Sequence, residues 1–346
     1  MRISKILTAL AAGTMLTATT MAAQAEGKLN IYNWAGYTPP ELVEKFEKET
    51  GIDVTIDTYD SNETLLAKLK AGGGGYDIIV TAHTFIEVNA KEGLIQKFNP
   101  KDLPNYKYLD KKFIDPSWDP ESQYSLPYQW GTTSFAVDTA VYDKPIDSFE
   151  TLFNPPAELA GKVGMLKGGS DLIAMAELYL GVPLCSEDPA EMQKVLDLLL
   201  AQKQSVKVYA GAAALRDQMV SGEIAMTSNY SGQAQRARAE KKTVQYVYPK
   251  EGVIAWVDAL AIPADAKNLE NARKFADFLL APENAGALSN HAGYANGSVG
   301  SEEFMKPELI EAPELHVPEG IKTEPMKTCS PAANELEAQI MTQLMQ

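Results

Sequence analysis

The sequence predicts an α/β protein with two lobes and a ligand cleft between them. Short apolar strands alternate with amphipathic helical segments along nearly the whole chain. The 346 residues suffice for two domains of about 150 residues each. One unit of helix, glycine-containing stop, strand and loop also occurs twice, and its loops fall at residues 81–84 and 228–232. Since ligands of α/β sheets lie beyond the carboxyl ends of strands, the two loops indicate an interlobe cleft.

The first elements carry clear boundary signals. Leu29–Trp34 is apolar enough for a strand, and Pro39–Pro40 suits the first turn of a helix that Gly51 ends. Residues 53–59 alternate in polarity, which predicts a second strand. Ser61 then stands where it can cap the next helix.

Hydrophobic spacing predicts the later elements. The four glycines at 72–75 indicate a turn before a buried strand at 76–80. Apolar residues at positions i, i+3, i+4 and i+7 predict helices around 192–199 and 272–279. The last helix is expected at 332–345.

Composition and charge exclude several classes of protein. A hydrophobic fraction of 45% with 22% charged residues is typical of a folded chain. The 24 glycines and 2 cysteines rule out collagen-like and disulfide-scaffold proteins. The 46 acidic and 31 basic residues give a formal charge of −15, which argues against a nucleic-acid partner because such proteins need a basic face. An acidic protein can attract cations, although acidity more often serves solubility.

Residues 1–25 have the pattern of a secretory signal peptide. Arg2 and Lys5 precede a short apolar stretch at 6–16, and residues 23–25 (Ala-Gln-Ala) fit a signal-peptidase site. We expect cleavage after Ala25 and export to the periplasm. Loss of the two cations takes the formal charge from −15 to −17. No later segment is predicted to cross a membrane.

Export affects the expected oxidation state of the two cysteines. The periplasm permits oxidation, so Cys185 and Cys329 are predicted to form a disulfide. Two free buried thiols are the alternative.

Catalytic and metal-binding motifs are missing from the sequence. It contains no H-E-x-x-H, C-x-x-C or G-x-S-x-G, and the glycine run lacks the Lys-Ser/Thr of a phosphate loop. The histidines His83, His291 and His316 lie far apart. We therefore expect a binding protein without catalytic residues, metal or cofactor. A ferric-ion site that uses His83 with distant tyrosines, and a secreted hydrolase, are the alternatives.

Aromatic residues recur at predicted strand ends beside an acid. Tyr32–Tyr37 places two aromatics beyond the first strand, and Tyr294 follows a predicted helix. Trp256 and Asp258 share one face of a predicted strand because side chains alternate with a period of two. Aromatic faces attract ammonium groups, and a carboxylate supplies a charge-assisted hydrogen bond. The pattern favours a site for a cationic small molecule.

Motifs over most of the mature chain carry a family resemblance, which thins from about residue 300. They are Tyr32–Trp34, Tyr37–Pro40, Ser61–Thr64, Ala67–Lys70, Tyr76–Val80, Glu92–Lys97, Pro127–Thr132, Tyr248–Gly252 and Trp256–Pro263. As a set, they resemble the periplasmic spermidine/putrescine-binding proteins of polyamine ABC transporters, within the bacterial extracellular solute-binding proteins.

The resemblance implies a two-lobed periplasmic binding protein fold with crossing hinge strands, which closes on its ligand. The first lobe would comprise residues 26–133 and 257–303, and the second 134–256 and 304–346. The resemblance also implies a monomer that presents its ligand to an inner-membrane ABC permease.

The resemblance also assigns a set of ligand-binding residues. Asp258 resembles the acid that takes an ammonium group, and Asp171 occupies the place of a second acid. Tyr230 is expected to substitute for a stacking tryptophan that Ser228 replaces, and His83 lies in a loop that contacts ligand in the family. The aromatic walls would be Trp34, Tyr37, Trp256 and Tyr294.

Departures from the family pattern limit the ligand. Gly36 and Gly168 stand where acids are expected, and residues 82–84 and 326–327 also differ. Fewer acids favour putrescine or a similar diamine over spermidine. The alternative is a mono-ammonium ligand such as 4-aminobutyrate or a betaine. Its carboxylate would pair with one of three cations, Lys167, Arg216 or Arg236.

Overall fold

The structure is a computed structural model that describes residues 27–59, 61–72 and 74–346. The predicted signal peptide and its cleavage after Ala25 lie outside these residues. No helix in the described residues is long and apolar enough to cross a membrane.

The strands form a mixed sheet that runs through the whole fold. Its main path has the order β2-β1-β3-β10-β5-β8-β6-β7, with β4 and β11 paired to β10 and β9 paired to β5. The strands are β1 Gly27–Trp34, β2 Ile52–Tyr59, β3 Ile78–Ala82, β4 Ile95–Gln96, β5 Ser125–Asp138, β6 Val163–Leu166, β7 Val206–Ala210, β8 Met226–Tyr230, β9 Val244–Val247, β10 Val253–Pro263 and β11 Thr323–Pro325.

Helices fill the connections between these strands. They are α1 Pro40–Thr50, α2 Asn62–Lys70, α3 His83–Lys91, α4 Glu150–Phe153, α5 Gly169–Leu180, α6 Pro189–Lys203, α7 Ala212–Ser221, α8 Ser231–Glu240, α9 Leu269–Leu280, α10 Pro282–Ala292, α11 Pro307–Ile310 and α12 Pro331–Met345. The alternation confirms the predicted α/β class.

Two long antiparallel strands connect the halves of the sheet. Residues 254–261 of β10 pair with residues 125–133 of β5, and the remainder of β5 pairs with β8 and β9. On the β10 side lie the parallel strands β2, β1 and β3, and on the β5 side lie β8, β6 and β7. Each half therefore has its own parallel unit, and β5 and β10 join the two.

Two large hydrophobic cores follow this division. The first core draws its buried residues from 29–128 and 257–288. The second core draws them from 135–247, together with Ile340 and Leu344 of α12. This division supports the predicted lobes, whose boundaries stay predictions.

The structure contains the start, stop and cap residues that the sequence predicts for α1 and α2. Proline starts α1, and Gly51 ends it with φ 68°, a left-handed conformation that glycine adopts without strain. The Ser61 side chain accepts a hydrogen bond from the Thr64 amide and so caps α2.

The two loops predicted beyond the strands are wrong. At 81–84, β3 runs to Ala82 and α3 begins at His83. At 228–232, β8 runs to Tyr230 and α8 begins at Ser231. Cross-strand pairing extends both strands, because Ala82 pairs with Asp258 and Tyr230 with Thr133. Tertiary pairing thus overrides the local polar composition.

The disulfide prediction is confirmed. Cys185 and Cys329 are joined, which links the segment after α5 to the segment before α12. The bridge closes a loop with a sequence separation of 144 residues.

Candidate functional site

Asp258 is the acid at the centre of the candidate site. It lies in the middle of β10, is only 6% exposed, and accepts a 2.8 Å hydrogen bond from the Tyr37 hydroxyl. Trp256 lies two residues earlier on the same strand face, as the period-two pattern predicts. The strand thus presents an aromatic ring and a carboxylate side by side.

Burial dominates the electrostatics of Asp258. Desolvation raises the pKa of its carboxyl to about 7, and the negative charge of Asp171 adds to this increase. The Tyr37 hydrogen bond opposes the shift in pKa. The Trp34 indole N–H also lowers the pKa of Asp258, although its geometry falls short of a hydrogen bond. A bound cation would stabilise the charged form of Asp258, which burial destabilises.

Four aromatic rings surround this carboxylate. Trp256 and Tyr294 meet edge to face with ring centroids 5.2 Å apart. Tyr37 lies 5.8 Å from Tyr294, and Tyr230 lies 5.7 Å from Trp256. Tyr37 packs against the first core, whereas Tyr230 ends β8, which lies on the β5 side of the sheet. The rings therefore come from both halves of the molecule.

Asp171 provides a second carboxylate on the other half. It lies in the first turn of α5, where the helix dipole favours negative charge. One of its oxygens accepts a 2.9 Å hydrogen bond from the Tyr230 hydroxyl, and the other accepts one of 2.9 Å from Thr133. Desolvation raises the pKa of Asp171 despite both bonds.

Trp34 and His83, two of the predicted site residues, are not part of the four-ring cluster. Trp34 packs against Tyr59 with ring centroids 4.3 Å apart. The His83 ring is 4% exposed and is held by backbone groups, with Nδ1 3.2 Å from Val257 and Nε2 2.9 Å from the Met326 carbonyl. Burial lowers the pKa of His83, which favours the neutral ring. Both ring nitrogens are engaged, so His83 serves here as a backbone contact beside Asp258.

Sequence reasoning missed two polar residues of the site, Thr133 and Gln129. Thr133 fixes Asp171 from β5, one residue beyond the motif 127–132 that carries the resemblance. Gln129 pairs with Asp258 in the register of β5 and β10, and its fully buried carboxamide has no hydrogen-bond partner in the described chain. An unpaired buried amide costs about 1–3 kcal/mol, so its position beside Asp258 marks it as a candidate ligand group.

One group of potential metal ligands comes together among the described residues. It consists of Cys185, Cys329 and Glu337. The two sulfur atoms are joined to each other, so they are not thiolates that could bind a metal. None of these three residues belongs to the aromatic cluster of Trp256 and Tyr294.

The chemistry of the site is that of cation recognition. The buried Asp258 and the half-buried Asp171 each accept a hydrogen bond from a tyrosine hydroxyl, and both tyrosines belong to one aromatic cluster. Ammonium groups are stabilised by such carboxylates and rings together.

Fold and site together define a two-lobed solute-binding protein. The chain belongs to the bacterial extracellular solute-binding protein family, whose model matches residues 41–316. This is a family of transport proteins and not of enzymes.

The chain is also similar to individual polyamine-binding proteins. It is 35% identical to the spermidine/putrescine-binding periplasmic protein of Escherichia coli (strain K12), over 89% of this chain and 88% of that one. It is 32% identical to the putrescine-binding periplasmic protein PotF of the same strain, over 92% and 91%. The structure of the spermidine/putrescine ABC transporter substrate-binding protein PotD from Streptococcus pneumoniae superposes with a TM-score of 0.80 at 27% identity, covering 92% of this chain and 98% of that one. The family resemblance seen in the sequence is thereby confirmed.

Proposed function

We propose that this protein is the periplasmic solute-binding component of an ABC importer and that its ligand is a small diamine of the putrescine type. The single observation that carries the proposal is a pair of carboxylates, the buried Asp258 and the half-buried Asp171, each hydrogen-bonded to a tyrosine of one aromatic cluster. Similarity to proteins named for binding putrescine and spermidine supports the same ligand class.

The number of acids favours a diamine over a triamine. A buried ammonium that lacks a charged partner costs about 3–5 kcal/mol, which is hundreds-fold or more in affinity. Two carboxylates match two ammonium groups, whereas Gly36 and Gly168 offer no side chain where further acids would help. Spermidine would leave one ammonium poorly compensated.

Export, assembly and delivery complete the proposal. The signal pattern at 1–25, with cleavage after Ala25, would place a monomer with the lobes 26–133 plus 257–303 and 134–256 plus 304–346 in the periplasm. There it would deliver its ligand to an inner-membrane ABC permease. Mass spectrometry of the secreted protein should show Glu26 as its first residue.

A calorimetric panel tests the ligand. Putrescine and cadaverine should bind more tightly than spermidine and raise the melting temperature as RT ln(1 + [L]/Kd) requires. Because Asp171 is only half-buried, Asp171→Asn should weaken diamine binding by less than the loss of a fully buried pair, about ten- to a hundredfold, and leave butylamine binding unchanged. The exposed Asp265→Asn is the matched control. If sugars or anions bind and no amine does, the proposal is wrong.

A second candidate ligand carries one ammonium and one carboxylate, as 4-aminobutyrate does. Arg236 favours it, because this half-buried guanidinium lies near Tyr294 and has no ion pair or hydrogen bond within the described residues. Burial and the neighbouring Arg216 lower the pKa of Arg236, so a ligand carboxylate would be stabilised there. Arg236→Gln should weaken 4-aminobutyrate binding and leave putrescine unchanged if both ligands are accepted.

A further inference from the structure

Gly232 lies in the first turn of α8 and packs directly on the Tyr294 ring. A Cβ atom at residue 232 would lie 2.4 Å from Cδ1 and Cε1 of Tyr294 and 2.7 Å from Cγ. These distances are shorter than side-chain packing allows, since carbon atoms pack at about 3.5–4.0 Å. Tyr294 is 2% exposed and held against Trp256 and Tyr37, so its ring has little room to move away. We call this contact the Gly232–Tyr294 joint.

The joint lies between the two carboxylates. On one side, Tyr294 contacts Tyr37, whose hydroxyl bonds to Asp258. On the other side, Gly232 is two residues from Tyr230, whose hydroxyl bonds to Asp171. The contact between α8 and Tyr294 thus connects the hydrogen-bonded pair at Asp258 with the hydrogen-bonded pair at Asp171.

Two further glycines allow the same close approach. A Cβ at Gly131 would lie 2.8 Å from Ser231 Oγ and 2.8 Å from Trp256 Cζ2. A Cβ at Gly293 would lie 3.1 Å from the Gly232 carbonyl oxygen and 3.2 Å from Arg236 Cγ. The start of α8 therefore packs closely on Tyr294 through Gly232, and its Ser231 packs on Gly131 beside Trp256.

We propose that Gly232 is a specificity-determining residue that sets the length of the diamine by fixing the spacing of the two carboxylates. This inference rests on the proposed function. An added methyl group at residue 232 would wedge α8 away from Tyr294 and lengthen the site. The preferred ligand would then shift from four carbons between the ammonium groups towards five.

The experiment compares 1,3-diaminopropane, putrescine and cadaverine by calorimetry with the wild type and Gly232→Ala. We expect the affinity for cadaverine, divided by the affinity for putrescine, to rise about tenfold in the variant. This is the lower end of the discrimination that one methylene group produces. Gly211→Ala is the matched control, because it adds a methyl at the start of the neighbouring helix α7 with nothing within 4 Å. Its affinity ratio should stay that of the wild type.

The outcomes separate the two proposals. A wild type that binds none of the diamines overturns the proposed function, and this inference with it. A wild type that binds diamines beside a folded Gly232→Ala with an unchanged ratio overturns this inference alone. The added Cβ must displace α8 or the Tyr294 ring, so the unliganded variant should melt at a lower temperature than the wild type but remain folded. If it does not fold, Gly131→Ala is measured in its place, with the same expected shift and the same contradicting result.

Discussion

The Tyr37 hydroxyl donates a 2.8 Å hydrogen bond to Asp258, a residue 221 positions later in the chain. The bond orients a buried carboxylate and uses only one of its roughly four acceptor positions. The remaining positions are available for the N–H groups of a cation. Tyr37 also packs on Tyr294, so one side chain couples the carboxylate to the aromatic wall.

Asp258→Asn should abolish amine binding while the fold persists. The amide can still accept the Tyr37 hydrogen bond but offers no charge, so we expect the Kd for putrescine to rise at least several hundredfold. Calorimetry measures the affinity, and thermal unfolding without ligand checks the fold. Asp265→Asn, at an exposed position, should bind like the wild type. Undiminished affinity in Asp258→Asn would remove this residue from the site.

Amine affinity should fall as the pH falls below about 7. Burial raises the pKa of Asp258 to about 7 in the free protein, so at lower pH a proton competes with the ammonium group. Well below pH 7, each further unit should weaken binding about tenfold, and the raised pKa of Asp171 acts in the same direction. Titrations with putrescine at pH 5, 6, 7 and 8 measure this. A constant Kd from pH 5 to 8 would contradict it.

The helices and buried strands were predictable because their signals are local. The prolines before α1, Gly51 and the Ser61 cap act within a few residues, and the structure contains all of them. The loops predicted at 81–84 and 228–232 were wrong because distant strands extend β3 and β8. Long-range pairing leaves no trace in local composition.

The residues of the site were easier to predict from the sequence than the hydrogen bonds that join them. Trp256 and Asp258 share a strand face by simple alternation, which sequence alone indicates. The bonds from Tyr37 to Asp258 and from Tyr230 to Asp171 join separate elements, so no local pattern shows them. No sequence pattern indicates Thr133 or Gly232, because their importance depends on contacts between distant parts of the chain.

The unliganded protein should lose stability as the pH rises from about 4.5 to 7. Burial raises the pKa of Glu177 and of Glu337 from 4.5 to about 7. The folded state therefore holds protons that the unfolded state has released in this range, and the free energy of unfolding declines with pH. Glu177→Gln should flatten the decline between pH 5 and 7.5 in urea unfolding. The exposed Glu319→Gln should retain it, and identical slopes in both variants would contradict the assignment.

Removal of the disulfide should lower stability without changing ligand affinity. The bridge closes a loop with a separation of 144 residues, and loss of such a bond costs about 2–5 kcal/mol. Urea unfolding of Cys185→Ser/Cys329→Ser, compared with the wild type, measures the loss. The Kd for putrescine should change less than about twofold, because neither cysteine belongs to the aromatic cluster and their contacts are to Lys327 and Glu337. Titration of the denatured, unreduced wild type should find no free thiol, and two free thiols would contradict the bridge.

Tyr37→Phe should shift the pH dependence of binding rather than simply weaken it. The Tyr37 hydrogen bond lowers the pKa of Asp258, so its loss raises that pKa further above 7. At pH 7 more of the variant carries a protonated Asp258, and putrescine should bind several-fold more weakly. At pH 9 most of this difference should disappear, since Asp258 is then charged in both proteins and the phenyl ring still packs on Tyr294. The measurement is the midpoint of Kd against pH for both proteins. Equal midpoints with a uniform loss of affinity would mean that the hydroxyl contacts the ligand directly and does not act through Asp258.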